Sequence, residues 1–189
     1  MSVRVITGTA KGRRLQVPKV AGLRPTSDRA RETLFNVLAP RLRAARVLDM
    51  FAGCGAVGIE ALSRGAEAAV FVERAAAAIV VIEANLELCR LSAVASVVRA
   101  DWRRGIDRLA AGEARFDIVF LDPPYDWDGA HTCVGAIHEA GLLAADGVAV
   151  IEHRRKRQPE EVEGFEVARR LDVGDTSFAI LTLRGAASG

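Results

Sequence analysis

Cysteine is scarce. Three occur among the 189 residues, Cys54, Cys89 and Cys133, odd in number and scattered. They have neither metal-ligand spacing nor the look of a disulfide framework, so a stapled secreted scaffold is excluded and a reducing cytoplasm is the expected home. Long apolar runs are missing too. None approaches the roughly 20 residues that a membrane-crossing helix needs. The opening stretch "MSVRVITGTAKGRR" lacks the apolar core of a secretory leader. No internal repeat or low-complexity tract stands out. What remains is an ordinary globular composition, 50% hydrophobic and 26% charged. The length suits one domain with at most a small appendage, burying roughly 70% of the unfolded chain's surface.

The formal net charge of +2 conceals a split. Residues 1–46 carry eleven Lys or Arg against Asp28 and Glu32, a net +9, whereas the rest carries fifteen basic and twenty-two acidic residues, a net −7. A basic N-terminal arm on an acidic body points to a polyanionic partner.

Within the body, short apolar runs predict buried strands at "RVLDM" (46–50), "AAVFVE" (68–73), "ASVVRAD" (95–101), "FDIVFLD" (116–122) and "GVAVIEH" (147–153). Helical stretches separate them. "AVGIEALSRG" stops at Gly65, "AAAAIVVIEANLELCRL" spaces Ile79, Ile82, Leu86 and Leu88 at roughly helical intervals, and "GAHTCVGAIHEAGLL" does so with Val134, Ile137, Ala140 and Leu143. Alternation of this kind predicts a doubly wound, mostly parallel α/β sheet. The end changes character: "FEVARRLDV" and "SFAILTLR", joined by "GDT", read as an antiparallel hairpin. At the start, "VRVITGTAKGRRLQVP" reads as two short strands around a basic turn. "LRPTSDRARETLFNVLAP" reads as a helix capped by Thr26 or Ser27, with Leu34, Phe35 and Leu38 toward the core. Residues 1–40 are therefore expected to form a hairpin-plus-helix extension packed on a body of residues 41–189. Arg31 and Glu32 are expected to pair on the surface, which contributes little.

Chemistry concentrates at the ends of these strands. "DMFAGCGAVG" follows the first body strand, and its Gly53, Gly55 and Gly58 form a GxGxxG leading into a helix. Such glycines let backbone turn tightly and approach a ligand. Glu73 ends the next strand, twenty residues beyond Gly53, where a carboxylate can accept from ribose hydroxyls. Asp101, followed by Trp102, can accept from an adenine amine, with a helix cap as the alternative. Asp49 heads the glycine loop. A carboxylate there suits a sulfonium and an ammonium better than a pyrophosphate, which it would repel. No phosphate-binding Lys lies in the loop. S-adenosylmethionine therefore fits better than a dinucleotide, and Phe51 and Arg74 join this cofactor set. "DPPY", Asp122 to Tyr125, sits at the same edge. Asp122 and a proline-segment carbonyl can accept the N–H groups of a planar amine, Pro123 and Pro124 fix the backbone, and Tyr125 offers a stacking face.

Three segments, "RPTSDRARETLFN", "VLDMFAGCGAVGIEALSRGA" and "FDIVFLDPPYD", resemble the bacterial 16S rRNA (guanine-N2)-methyltransferase family of RsmD type, as does "TGTAKGRRL". The resemblance covers nearly the whole chain. Its commonest loop has Ser where this chain has Cys54, a small-for-small change. It implies a class I S-adenosylmethionine-dependent methyltransferase fold. The acceptor it implies is a guanine of 16S rRNA. That RNA, naked or within a small-subunit particle, is the expected partner, and no metal is expected to be required. By the same pattern Asp101 reads the cofactor's adenine, and Asp122, Pro123, Pro124 and Tyr125 receive the base. Lys11, Arg13, Arg14, Arg24 and Arg29 in the arm, with Arg154 and Arg155 in "HRRKR", are candidate phosphate contacts. His153 has no evident chemical task. Other readings of the same residues are an adenine-N6 or glutamine-side-chain methyltransferase, an NAD-dependent oxidoreductase, and a catalytically silent RNA-binding module.

Overall fold

The structure is a computed structural model that describes residues 3–18, 26–124, 127, 129–156 and 161–185. Tyr125 and Arg24 of the expected sites lie outside the described residues.

The chain opens with β1 (Val3–Arg4) and β2 (Arg14–Leu15), paired antiparallel, followed by α1 (Asp28–Leu42). Five strands alternating with four helices follow: β3 (Arg46–Met50), α2 (Ala56–Ser63), β4 (Ala68–Glu73), α3 (Ala76–Cys89), β5 (Ala95–Arg99), α4 (Trp102–Ala111), β6 (Phe116–Leu121), α5 (Ala130–Glu139) and β7 (Leu143–Arg154). The chain then turns back on itself as β8 (Phe165–Val173) and β9 (Thr176–Leu183). The seven strands lie in the order β5-β4-β3-β6-β7-β9-β8. The first five are parallel, and β9 inserts antiparallel between β7 and β8. Strand order reverses at β3, so a ligand crevice is expected outside the carboxyl ends of β3 and its neighbours.

Period-two alternation sorts the core into two layers. Val47, Phe71, Ile118, Phe120, Val150 and Phe178 pack with α1, α2 and α3. Leu48, Val72, Val119, Leu121 and Ile151 pack on the opposite face with Ile106 of α4 and Val134 and Ile137 of α5.

The N-terminal hairpin is held to α2 by buried polar groups. Glu60, fully buried, accepts from the N–H of Ile6 at 2.8 Å and of Thr7 at 3.1 Å, and pairs with Arg64 at 2.7 Å. Ser63 accepts from the N–H of Ala10 and donates to the carbonyl of Thr7. Gly8 is required here: its φ is +89°, and a Cβ would lie 1.7 Å from the Ser63 carbonyl oxygen. Asn85 of α3 bridges the hairpin and the glycine loop, accepting from Gln16 N–H and donating to the carbonyls of Gln16 and Cys54.

Several expectations change. The expected surface pair of Arg31 and Glu32 does not form. Arg31 is completely buried and donates to the carbonyls of Thr26 and Arg4 and to Asp28 at 2.9, 2.6 and 2.9 Å. One turn of helix turns Arg31 inward, and a buried guanidinium is tolerable only when so many acceptors surround it. Ser27 caps α1 and frees Thr26 for another partner. Leu88 is 39% exposed, because α3 ends at Cys89 and Arg90 adopts a left-handed conformation. α1 runs on past position 40, and Leu143 opens β7 instead of closing α5. α4 went unpredicted; its charged residues cover a narrow apolar seam at Trp102, Ile106 and Leu109.

Candidate active site

Four carboxylates converge at the carboxyl edge of the sheet. Register brings Asp49 opposite Phe71 and Phe120, and Leu121 opposite Ile151. Counting in twos from these pairs puts Asp49, Glu73, Asp122 and Glu152 on the face that carries α1, α2 and α3.

The glycine loop is built around two of them. Asp49, 2% exposed, accepts from the Gly58 N–H at 2.9 Å. Burial pushes its carboxyl up to about 8; the Gly58 hydrogen bond pulls down, and the charges of Glu73 and Glu152 add to the rise. Phe51 has φ +67°, a left-handed conformation unusual for a bulky residue, which costs about 1–3 kcal/mol and is characteristic of ligand loops. Gly58 is needed for close packing, since a Cβ would lie 2.3 Å from the Phe71 ring. Glu73 holds the loop from the other side. Its Oε2 accepts from Gly53 N–H at 2.9 Å, and its Oε1 accepts from the N–H groups of Arg74 and Ala75 at 2.8 Å each. An ionised carboxylate offers about four acceptor positions, so about one remains for a ligand hydroxyl. Arg74 is exposed.

Asp101 is the N-cap of α4, accepting from Arg104 N–H at 3.1 Å, so the cap reading describes its geometry. That hydrogen bond is the leading reason its carboxyl is held below the usual range. Its carboxylate is exposed and retains acceptor capacity toward the crevice. Beside it the aromatic residues gather. Trp127 lies 5.2 Å from Phe51 and 5.7 Å from Trp102, ring centre to ring centre, and the Arg103 guanidinium covers Trp102 at 4.2 Å.

The "DPPY" turn leaves the end of β6. Asp122 is half-buried, Pro123 buried and Pro124 exposed, and Trp127 N–H donates to the Pro124 carbonyl at 2.9 Å, which closes the turn. Among the described residues no donor reaches the Asp122 carboxylate. Burial, followed by the charges of Glu152 and Asp49, raises its proton affinity well above the usual range. Glu152, 3% exposed, accepts from the Thr26 hydroxyl at 2.6 Å. Burial lifts its carboxyl to about 7 against the opposing pull of the Thr26 hydrogen bond and the Arg31 charge.

Sequence reasoning missed the site roles of four of these residues. Glu152 ends its strand on the same face as the other acids, and that recurrence was a usable signal. Trp127 stands in the loop just past Tyr125, one of two tryptophans in the chain. Thr26 and Arg31 gave no such signal, because nothing local shows that a helix start will reach across to β7. The basic candidates are dispersed. Lys11, Arg14, Arg29 and Arg154 are exposed. Arg13 donates to the Leu88 carbonyl at 2.5 Å, and Arg155 lies 3.4 Å from Asp172. Among the described residues, no group of three or more His, Cys, Asp or Glu is arranged to hold a metal ion. No helix there is long and apolar enough to cross a membrane.

A parallel sheet reversing at β3, an antiparallel pair at its end, a glycine loop after β3 and "DPPY" after β6 together define the class I methyltransferase fold. The chain belongs to the family described as "Conserved hypothetical protein 95", whose profile matches residues 3–182. It is 40% identical over 184 residues to a Bacillus subtilis (strain 168) protein provisionally named rRNA methyltransferase YlbH, covering 97% of this chain and 100% of that one. It is 32% identical over 178 residues to ribosomal RNA small subunit methyltransferase D of Haemophilus influenzae, covering 94% of this chain and 92% of that one. The solved structure of yhhF from Escherichia coli, provisionally called a methyltransferase, superposes with TM-score 0.83 at 34% identity, covering 99% of this chain and 100% of that one.

Proposed function

We propose that this enzyme transfers a methyl group from S-adenosylmethionine to the exocyclic N2 of a guanine in small-subunit rRNA. The observation that carries the reading is the Asp122 carboxylate. It is half-buried beside the glycine loop, at the mouth of a proline-stiffened turn, with no donor of its own among the described residues. An exocyclic amine brings the N–H groups that such an acceptor lacks, and acceptors placed where positive charge develops lower the barrier.

The donor set fits the cofactor. Glycines with left-handed backbone at Gly53 and Gly55 open the loop, and no cation stands there to meet a pyrophosphate. The Glu73 carboxylate favours a ligand with positive charge, and such a ligand in turn draws the buried Asp49 toward its ionised form. When bound, S-adenosylmethionine supplies a methyl group on a sulfonium. Asp49 shapes the loop through Gly58, Glu73 fixes Gly53 and offers its remaining acceptor position to a ribose hydroxyl, and Asp101 with Trp102 flanks the adenine. Phe51 and Trp127 border the space between cofactor and clamp. Trp127 provides an aromatic face within the turn, the task expected of Tyr125. Residues 1–40 act as the extension that grips RNA.

The relatives' names agree with ribosomal RNA as substrate, and the basic arm supplies the phosphate contacts that RNA needs. The reading is tested by incubating small subunits that lack the methyl mark with labelled S-adenosylmethionine. Label confined to one position of 16S rRNA is expected. Label in protein, or none in RNA despite cofactor binding, would contradict it.

A further inference from the structure

We propose that Glu152 is a positioning residue for the transfer: the N-terminal segment holds it beside Asp122, so that its charge sets how avidly Asp122 takes the amine proton. This rests on the methyl-transfer reading above. In that reaction the nitrogen gains a methyl, the sulfur keeps the pair of the broken C–S bond, and one N–H proton leaves to the Asp122 carboxylate.

The geometry has three parts. First, Leu121 and Ile151 are paired across parallel strands, so Asp122 and Glu152, the next residue on each, stand side by side at the sheet edge. Second, Glu152 is buried in a built socket. Thr26 Oγ donates to it at 2.6 Å, and the backbone carbonyl of the same Thr26 is held by Arg31 at 2.9 Å. Arg31 is itself fully buried and also tied to Arg4 and Asp28. Third, no catalytic task is otherwise assigned to Glu152, and a buried carboxylate without a task carries a desolvation penalty for nothing.

Among the described residues, the groups facing Glu152 are few. α1 supplies Arg31, and Thr26 stands two residues before it. Asp122 faces it from the end of β6 and Asp49 from β3, while β9 presents Phe178 opposite it. Burial raises the Glu152 carboxyl to about 7, and Thr26 and Arg31 keep it from rising further, so that it ionises near neutral pH. An ionised Glu152 in turn discourages ionisation of Asp122, because like charges at close range cannot both form cheaply. The clamp carboxylate thereby becomes a stronger base than an isolated aspartate. The pair titrates as a unit, so its behaviour belongs to both residues. Through Thr26 and Arg31 the basic arm is wired to this pair, and displacement of the arm would change the charge beside the reacting amine.

The test uses the full chain with its aspartate carboxyls labelled with 13C, titrated by NMR without any ligand, alongside single-turnover methylation of small subunits across pH. Glu152→Gln preserves size and the acceptor for Thr26 but removes the charge. The Asp122 titration should move down by about one pH unit or more. The acid limb of the rate profile should move with it, and the plateau rate should fall. Glu152→Asp should keep the wild-type limb. Thr26→Val should move the titration in the same direction as Glu152→Gln, and it serves in place of Glu152→Gln should that variant not fold. An Asp122 titration unchanged in both Glu152→Gln and Thr26→Val overturns the proposal. A shifted titration from an enzyme that leaves guanine unlabelled overturns the methyl-transfer reading beneath it instead.

Discussion

The buried acids carry a measurable signature at the scale of single residues. Asp49 titrates near 3.9 when unfolded and is pushed up to about 8 in the fold, chiefly by burial. Between those values the folded chain keeps a proton that the unfolded chain has released. Asp49 therefore withdraws stability as pH rises from about 4 to about 8. Glu152, raised to about 7, acts in the same direction over a shorter window. The melting temperature of the ligand-free protein should thus fall between about pH 5 and pH 8, and Asp49→Asn should flatten that fall. A pH dependence unchanged by Asp49→Asn would show that the carboxylate ionises at no cost. Asp122→Ala bears on the clamp. Loss of one preorganised acceptor should cost turnover about 3 kcal/mol, by analogy with oxyanion-hole donors. S-adenosylmethionine affinity, measured by calorimetry, should stay close to wild type. Full single-turnover activity in this variant would remove Asp122 from the chemistry.

At the scale of elements, buried Glu60 is a principal anchor of the N-terminal hairpin, beside Ser63 and Asn85. Glu60 satisfies two backbone donors of the hairpin and one arginine. Glu60→Ala leaves all three donors short of a partner, including the nearly buried Arg64, and should destabilise the protein by about 3–5 kcal/mol. Hydrogen exchange at Ile6 and Thr7 should rise more than at β3; uniform protection across both would disprove the docking. The same scale shows what the sequence could disclose. Strands β3 to β7 were legible because buried parallel strands are continuous apolar runs, and the closing hairpin because its turn residues interrupt two such runs. The placement of the glycine loop, Glu73 and Asp122 at the carboxyl edge of the sheet was legible because each ends or follows an apolar run that reads as a strand. The roles of Arg31 and Thr26 were hidden, because their partners lie on β1 and β7, far along the chain. Glu73 was half legible: its position was expected, but its grip on Gly53 depends on tertiary contact. Glu73→Ala should therefore loosen the loop as well as weaken cofactor binding, and calorimetry giving wild-type affinity would leave Glu73 a purely structural task.

Across the whole molecule, the opposed charges of arm and body divide the labour. On the proposed reading the acidic body suits a cationic cofactor and repels phosphates, so the arm, with its net +9 over residues 1–46, is expected to supply most of the grip on RNA. Replacing Lys11, Arg13 and Arg14 together by Ala should weaken RNA binding and reduce the log–log salt slope by about 2–3 units, while cofactor affinity holds. Arg13 also bonds the Leu88 carbonyl, so a thermal melt of the same variant separates lost phosphate contacts from a loosened α3. A wild-type salt slope would move RNA recognition elsewhere, first to the segment after β7. Guanine's amino group is engaged in base pairing and lies on the minor-groove edge, so a firm hold on the surrounding RNA fits an acceptor base that is unpaired or extruded. The central claim is the identity of the methylated atom, and one measurement addresses it directly: 16S rRNA methylated by this enzyme is digested to nucleosides and resolved by mass. N2-methylguanosine as the sole labelled nucleoside is the expected result. N6-methyladenosine, or label on any other nucleoside, would contradict it.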